Sequence, residues 1–447
     1  MPTYDFTTGS IRKQMILFSV PILLSNLLQV SYHFIDSLWI GNLIGDQALG
    51  AVTISSTIFT MVLAFIIGIN NATLTILSQQ KGRKDQFGLK RYVNAFVVLL
   101  TFLSLLIGLF GYFFAKNILT FFNTPESMLP GATDYLEMSF MGIFFIMGYN
   151  FLGTVLRALG DSKTPLFFVF LAVLLNAVLD PIFIAIFEWG IQGAAYATIL
   201  SQGIAFLLSL LYSFKKHLIP FTKPRLPGRT ETWVILKLGI PAGLQMMVIQ
   251  FGITMILSIV NTFGAAVVAG YGAAQRIDSL IMLPASALGT AVNSMAGQNI
   301  GAGRWKRVQE IARFAVRINA LIMLSIALII FFFAEHMITW FIQEEDSIRF
   351  GMSFLKITAF FYPFLGLNFI FNGIVRSSGA MFQVLVLNII SFWLLRVPFT
   401  YWFSSLIGEN GIAFGIGISF VISSMFSFSY FRWGGWKRSR LFEKDEK

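Results

Sequence analysis

Twelve long apolar segments recur along the chain, and they constrain its fold more than any other feature. The predicted helices cover residues 14–40, 48–76, 92–114, 132–156, 165–187, 191–214, 233–260, 267–296, 310–334, 350–375, 383–406 and 411–431. A helix needs about 20 apolar residues to cross the hydrocarbon core of a bilayer. Only 12% of the residues are charged, against about 25% in a soluble domain. We therefore expect an all-α integral membrane protein with twelve transmembrane helices.

Basic residues are concentrated in loops on one side of this predicted topology. They lie near Arg12, in the 81–91, 215–229 and 304–307 segments, and after Arg432, whereas the opposite loops carry acids such as Glu126 and Glu345. The positive-inside rule then places both termini in the cytoplasm. The net charge of +11 is explained by topology and by contact with anionic lipid heads. We expect the lipid bilayer, and no nucleic acid, as the partner of these charges.

The two halves of the chain repeat one another. A shift of 219 residues aligns Gly45 with Gly264, Gln79 with Gln298, Arg157 with Arg376 and Gly160 with Gly379. Six helices per half make the repeat parallel, with a pseudo-two-fold axis along the membrane normal. The predicted organisation is an N-lobe over residues 1–214, a basic, proline-containing cytoplasmic linker over 215–232 and a C-lobe over 233–447 with a basic tail. Two lobes that rock against each other are the mechanical basis of alternating access.

The first predicted helix contains an acid, Asp36, which is costly in this environment. A carboxylate at the bilayer centre costs about 2.5–3.5 kcal/mol on insertion scales. Asn26, Gln29, His33 and Asp36 are spaced 3, 4 and 3 residues apart and share one helical face. Such groups either hold neighbouring helices together or form a functional site. Packing seldom requires an ionisable group, so we favour function for Asp36, and packing for Asn26 or Gln29 taken alone.

A second acid, Asp180, lies on the fifth predicted helix. Asn176 and Asp180 are four residues apart, Pro181 would free a backbone carbonyl one turn earlier, and Thr198 offers a hydroxyl on the next helix. Such oxygens suit an alkali cation or a proton, although simple kink chemistry is an alternative. At shifts of 219 to 220 the second half has Met255 or Ile256 in place of Asp36, and at shifts of 218 to 219 it has Pro398 or Phe399 in place of Asp180. The ion chemistry therefore belongs to the first half.

The residues leave the coupling ion open. Burial away from water favours the protonated form of a carboxyl group, so Asp36 or Asp180 could carry a proton, whereas a sodium ion would keep both ionised. Pro21 offers a hinge in the first helix. The chain lacks cysteine and a GxxxxGK[ST] loop, which argues against thiolate metal sites and against ATP drive. For Arg276, Asp278, Lys356 and Arg396 a structural role is favoured.

The loops carry the signatures of a known family. GNLIGDQALGA at 41–51, its echo NTFGAAVVAGYGAAQRI at 261–277, SQQKG, GQNIGAG and RALGDSKTP at 157–165 resemble the multidrug and toxic compound extrusion (MATE) transporters along nearly the whole chain. The resemblance implies that Asp36, Asn176, Asp180 and Thr198 match the N-lobe cation site of prokaryotic members, which binds a proton or sodium. Some sodium-coupled members also carry C-lobe acids on helices seven and ten. Here those helices offer Gln245, Gln250, Asn368 and Asn372, so a C-lobe site of that type is not expected.

The resulting expectation is a proton- or sodium-coupled multidrug antiporter rather than an enzyme. It would act as a monomer in the plasma (inner) membrane, without a tightly bound cofactor, and export amphipathic cations. Asn26, Gln29, His33 and Met255 would line the substrate cleft or tune the acids. The main alternative is a flippase for lipid-linked precursors, which the cationic residues Arg276, Lys356 and Arg396 keep open. A membrane acyl-transfer enzyme built on His33 and Asp36, or a channel, ranks lower.

Overall fold

The computed structural model describes residues 4–438 and 441–442, with all their side chains except those of His33 and Asp46. It is all-helical, with 87% of residues in helices and no strands in the part described. The α-helices are α1 (Ile11–Leu43), α2 (Asp46–Arg83), α3 (Gln86–Phe121), α4 (Leu129–Ala158), α5 (Lys163–Pro181), α6 (Gly190–Lys215), α7 (Arg229–Val260), α8 (Ala265–Gly301), α9 (Trp305–Thr339), α10 (Glu345–Ala359), α11 (Tyr362–Ser377), α12 (Met381–Ile389), α13 (Val397–Ile407) and α14 (Asn410–Trp433).

These helices confirm the predicted set of twelve membrane spans. Within the described residues, eleven spans are long and apolar enough to cross a membrane, one of which joins α12 and α13. The twelfth span consists of α10 and α11, which are bent by 54° relative to each other. Most observed helices extend beyond the predicted apolar segments, because polar residues continue the helix outside the hydrocarbon core. The first helix, α1, runs unbroken through Pro21.

The continuous helix predicted over 350–375 is wrong in one respect, since the helix breaks between Ala359 and Tyr362. Pro363 lies in the first turn of α11. A proline there lacks a backbone N–H, and its ring clashes with the carbonyl four residues earlier, that of Ala359. The break follows from this local conflict, and a new helix begins where the missing donor costs nothing.

The fifth helix of each half contains a π-helical segment. After Pro181, α5 continues as a π-helix over Ile182–Ile186, and a second π-helix over Ile390–Arg396 separates α12 from α13. The kink predicted at Pro181 thus takes the form of a widened turn, in which a carbonyl pairs five residues ahead. Segments of this kind inside α-helices are frequent at functional sites.

The duplication is also visible in the backbone at two pairs of turns. Gly45 and Gly264, with φ of 108° and 94°, precede α2 and α8. Gly160 and Gly379, with φ of 93° and 91°, follow α4 and α11. Positive φ is costly for residues with a Cβ atom. The four glycines matched by the 219-residue shift therefore occur where the turn requires glycine.

The first compact unit comprises Tyr4 and Leu24–Lys237. Its central helix, α4, packs against α2, α3 and α6, and α5 packs against α6. The non-helical linker at residues 216–228 is tied to α3. The Asn94 amide donates to the Arg225 carbonyl oxygen at 2.7 Å, and the Arg225 N–H donates to Asn94 Oδ1 at 3.0 Å. Nearby, the Arg91 guanidinium forms an ion pair with Glu231 in the first turn of α7.

The second compact unit comprises Asp5–Leu23 and the described part of Leu238–Lys447. In it, α8 packs against α9, α10 and α11, and α14 packs against α10, α11 and α13. Arg307 anchors the N-terminal segment by donating to the carbonyl oxygens of Phe6, Thr8 and Gly9 at 2.8–2.9 Å. The predicted boundaries assigned Asp5–Leu23 to the first lobe, whereas its contacts group it with the second unit.

Candidate ion-coupling site

Three helices of the first unit supply the four residues that the sequence singled out. Asp36 lies on α1, Asn176 and Asp180 lie one turn apart on α5, and Thr198 lies on α6. Asn176 and Asp180 are fully buried, and Asp36 is only 8% exposed. The charges of Asp36 and Asp180 are close enough to interact electrostatically. The fold therefore brings both acids of the first half into one environment.

The hydrogen bonds of this group are incomplete. Asn176 Nδ2 donates to Asp180 Oδ1 at 3.0 Å. Four buried oxygens have no hydrogen-bond partner among the described residues: Asp36 Oδ1, Asn176 Oδ1, Asp180 Oδ2 and Thr198 Oγ1. Buried polar atoms are almost always paired, so four unpartnered oxygens in one region indicate a place for a bound species.

The chemistry of these atoms suits a proton or a hard monovalent cation. Two carboxylate oxygens, an amide oxygen and a hydroxyl are acceptors of the type that alkali cations prefer. A proton would instead bind to one carboxylate, because two neighbouring buried carboxylates strongly disfavour double ionisation. Among the described residues, no group of three or more His, Asp or Glu side chains lies together as a metal site. A sodium ion would thus depend on the amide and hydroxyl oxygens as well as the acids.

Two tyrosines at this site were not predicted from the sequence. The Tyr32 hydroxyl lies 3.4 Å from Ser201 Oγ, and Ser201 Oγ donates to the Thr198 carbonyl oxygen at 3.0 Å. Tyr135 of α4 is buried and packs with Ile40 and Ile184, which lie one helical turn after Asp36 and Asp180. Tyr32 precedes Asp36 by one helical turn, so the same spacing argument could have found it. Tyr135 is about 100 residues away from Asp36 along the chain, and no local pattern indicates it.

An apolar cluster adjoins the site on the side of the π-helical segment. It contains Ile40, Tyr135, Ile184 and Ala194, from α1, α4, the π-helix and α6. Removal of this apolar surface from water stabilises the packing of the four elements. It also lowers the local dielectric around the neighbouring acids, which strengthens their interactions with a bound cation.

The other residues on the predicted polar face of α1 lie differently. Asn26 is half-buried and Gln29 is exposed, and neither hydrogen-bonds to the four site residues in the described part of the chain. The side chain of His33 lies outside the described set. Met255, on α7 in the second unit, is 41% exposed. The assignment of these four residues to a substrate cleft stays a prediction.

The other intramembrane charges that the sequence singled out, Arg276, Asp278, Lys356 and Arg396, lie in the second unit. Asp278 accepts a hydrogen bond from the Tyr362 hydroxyl, which lies 3.1 Å from Thr358 Oγ1. The Arg276 guanidinium lies over the Phe341 ring at 5.6 Å from its centroid, and the Lys356 ammonium lies over Phe331 at 5.9 Å. The partner of Asp278 is 84 residues away along the chain, which is why spacing alone did not identify it.

The amides that the second half offers on α11 bond to α14. Asn368 Nδ2 donates to Ser423 Oγ at 2.9 Å, and Ser427 Oγ donates to Asn368 Oδ1 at 3.1 Å. Gln245 is buried, and its Oε1 has no partner among the described residues. This arrangement differs from that of the first unit, where the unpartnered oxygens include two carboxylates.

An apolar cavity in the first unit is separate from the four oxygens. Its volume is about 280 Å³, and it lies between α3, α4, α6 and the linker. Its lining includes Phe144, Phe151, Phe206 and Phe221, and none of the four site residues. The cavity is therefore not part of the candidate ion site.

Comparison with known proteins places the chain among transporters. A family model described as MatE matches residues 21–182 and 241–402. The two stretches have equal lengths and begin 220 residues apart, which supports the duplication predicted from the sequence. Together they cover more than half of the chain.

Relatives and solved structures agree with this match. The probable multidrug resistance protein YpnP of Bacillus subtilis (strain 168) is 60% identical over 442 residues, which cover 99% of each chain. The probable multidrug resistance protein NorM of Thermotoga maritima is 24% identical, covering 97% of this chain and 95% of its own. The outward-facing structure of a multidrug resistance MATE family transporter superposes with a TM-score of 0.91 at 24% identity, covering 97% and 98%. The Vibrio cholerae MATE transporter VcmN, in a mutant form, gives 0.90 at 21%, covering 96% and 98%.

Proposed function

The chain belongs to the MatE family of multi-pass membrane transporters, and from this premise we propose that it exports drugs in exchange for protons or sodium ions. The relative at 60% identity is named as a probable multidrug resistance protein. This similarity along 99% of both chains supports multidrug efflux as the transport function. Resemblance to the family supports amphipathic cations as substrates, the plasma membrane as location and a monomer as the working unit.

The observation that carries ion coupling is the set of four buried, unpartnered oxygens on Asp36, Asn176, Asp180 and Thr198. The described side chains give neither carboxylate a basic partner, and carboxylates in a membrane interior are unstable unless a cation neutralises them. Proton or sodium binding would therefore stabilise the conformation that buries them. A conformation that exposes them to water needs no such cation.

Coupling follows because the two conformations differ in their affinity for the ion. If ion binding and drug binding favour different conformations, each weakens the other by the same factor. An ion that binds from the outer side then promotes release of the drug there, and the ion-loaded transporter returns to the inner side, where it releases the ion and binds another drug molecule. Asp36 and Asp180 would hold the ion, Asn176 would orient Asp180 through its hydrogen bond, and Thr198 would add a hydroxyl ligand.

The test is drug efflux by the purified protein in reconstituted vesicles, with proton and sodium gradients imposed separately. We expect Asp36→Asn and Asp180→Asn to reduce gradient-driven transport at least tenfold, because the neutral amides cannot exchange an ion. The gradient that drives the unmodified protein identifies the coupling ion. Glu126→Gln is a matched control, since Glu126 is exposed in the loop between α3 and α4 of the same unit. Full gradient-driven efflux by both acid variants would contradict the coupling proposal.

A further inference from the structure

Arg396 is a buried cation whose charge the second unit leaves uncompensated. It is 6% exposed at the end of the π-helical segment. No acid lies within ion-pair distance of it among the described residues, where the ion pairs are Arg91–Glu231 and Arg349–Glu345. A buried charge is normally paired. The described residues therefore provide no counter-ion for the Arg396 guanidinium.

The surroundings of Arg396 cover the faces of its guanidinium and leave donors at the edge. The guanidinium carbon lies 3.8 Å from the centroid of Phe392 and 4.6 Å from that of Phe420. Nε donates to Ser419 Oγ at 3.3 Å, and this is the single hydrogen bond of the side chain within the described structure. A guanidinium has five N–H donors, so the four on its terminal nitrogens are available. Their planar fork matches a carboxylate or a phosphate.

Thr400 adds a second, independent indication. It follows Arg396 by four residues, the spacing that places two side chains on one helical face. It is fully buried, and its Oγ1 has no hydrogen-bond partner in the described part of the chain. A hydroxyl can donate one hydrogen bond. The same face thus carries an unpaired cation and an unused donor.

The corresponding helix of the first unit shows the opposite polarity. An offset of 220 residues, which separates the starts of α6 and α14, pairs Asn176 with Arg396 and Asp180 with Thr400. Other turns of the repeat match at 218 or 219, which moves the correspondence by at most two residues within the same helix. On its fifth helix, the first half of the duplicated chain carries unpartnered acceptors, and the second half carries unpartnered donors.

We propose that Arg396 and Thr400 form a ligand site that binds the oxyanion group, a carboxylate or a phosphate, of an amphiphilic molecule. The aromatic rings of Phe392 and Phe420 supply apolar surface beside the charged head. This site extends the proposed substrate class from cations to molecules that bear an anionic group. Binding at Arg396 does not depend on ion coupling at Asp36 and Asp180, so the two proposals fail separately.

The test compares two dyes that share a xanthene ring and differ in charge, anionic fluorescein and cationic rhodamine 6G. Binding to the purified full-length protein in detergent is measured by fluorescence anisotropy. We expect Arg396→Gln to weaken fluorescein binding at least tenfold, as expected for loss of charge-assisted hydrogen bonds, with rhodamine 6G binding unchanged or tighter. Arg396→Lys should retain part of the fluorescein affinity, and Thr400→Val should reduce it by a smaller factor.

Arg276→Gln is the control, because Arg276 is an exposed intramembrane arginine of the same unit that also contacts a ring. Octanoate and octyl phosphate, added as competitors, distinguish a carboxylate from a phosphate source, and displacement by either supports the proposal. Equal loss of both dyes in Arg396→Gln and Arg396→Lys would show a structural role and overturn it. Unchanged fluorescein binding in both variants would overturn it as well. Thr400→Val provides a milder variant if the arginine substitutions prevent folding.

Discussion

At the scale of single residues, the amide of Asn176 connects two functions of the candidate ion site. Its Nδ2 holds Asp180 Oδ1 at 3.0 Å, while its Oδ1 has no partner within the described residues. The hydrogen bond fixes one carboxylate oxygen and leaves the other, Oδ2, available. Asn176 thus positions an acid and offers a neutral oxygen beside it. Its loss should weaken ion binding without removing the charge.

Asn176→Ala is therefore expected to raise the ion concentration needed for half-maximal efflux about five- to tenfold, the effect of losing about 1 kcal/mol or slightly more. This change should be smaller than that of Asp180→Asn. The measurement is initial efflux rate against proton or sodium concentration in vesicles. Asn150→Ala is the matched control, because Asn150 donates within its own helix, to the Ile146 carbonyl oxygen at 2.8 Å. An equal shift in both variants would argue against a positioning role.

At the scale of elements, close packing of α13 against α14 depends on a glycine beside the proposed Arg396 site. A Cβ atom at Gly415 would lie 2.5 Å from both Cα and N of Thr400. Backbone atoms cannot move aside as a flexible side chain can. The two helices could therefore accommodate a methyl group at this point only by separating.

We expect Gly415→Ala to lower the melting temperature, since overpacking costs about 1–3 kcal/mol. Gly272→Ala on α8 is the matched control, because no atom lies within 4 Å of its added Cβ. Alanine there should be neutral or stabilising by up to about 1 kcal/mol. Thermal unfolding in detergent, followed by tryptophan fluorescence, distinguishes the two. A stable Gly415→Ala protein would mean that α13 and α14 are not packed as closely as described.

At the scale of the whole molecule, the absence of cysteine from the chain makes the predicted topology directly testable. Single cysteines at Thr8 and Thr222 should react with a membrane-impermeant maleimide only when the cytoplasmic side is accessible. Cysteines at Glu126 and Glu345 should react only from the opposite side. All four positions are exposed. Labelling in inside-out and right-side-out vesicles, read as a gel shift, checks the assignment.

Reaction of Thr8→Cys or Thr222→Cys from the outer side would contradict the orientation inferred from the basic loops. The unmodified protein serves as the blank in both vesicle types. An inverted but consistent pattern would reverse the direction of the proposed transport while leaving the span count intact.

The duplicated chain also shows how two halves of one fold diverge. Both halves retain glycines at the same turns and a π-helical segment in the fifth helix. They differ in the polar groups on that helix, with Asn176 and Asp180 in one and Arg396 and Thr400 in the other. Scaffold residues are retained because the turns and the packing require them, whereas the polar groups can change with the ligand.

The sequence by itself determined the membrane spans and the duplication, and it singled out the four residues of the candidate ion site, whose oxygens are among the unpartnered buried oxygens of the first unit. Hydropathy, helical spacing and the repeat are local or periodic signals, and they can be recognised without knowledge of the packing. Only the tertiary structure placed Tyr135 near the two acids, paired Asp278 with Tyr362 and grouped Asp5–Leu23 with the second unit. The tertiary structure also packed Phe392 and Phe420 against the Arg396 guanidinium and placed no acid within ion-pair distance of it among the described residues. These contacts join residues on different helices or turns. The packing of the helices decides which of these residues meet, because no local pattern in the sequence relates them.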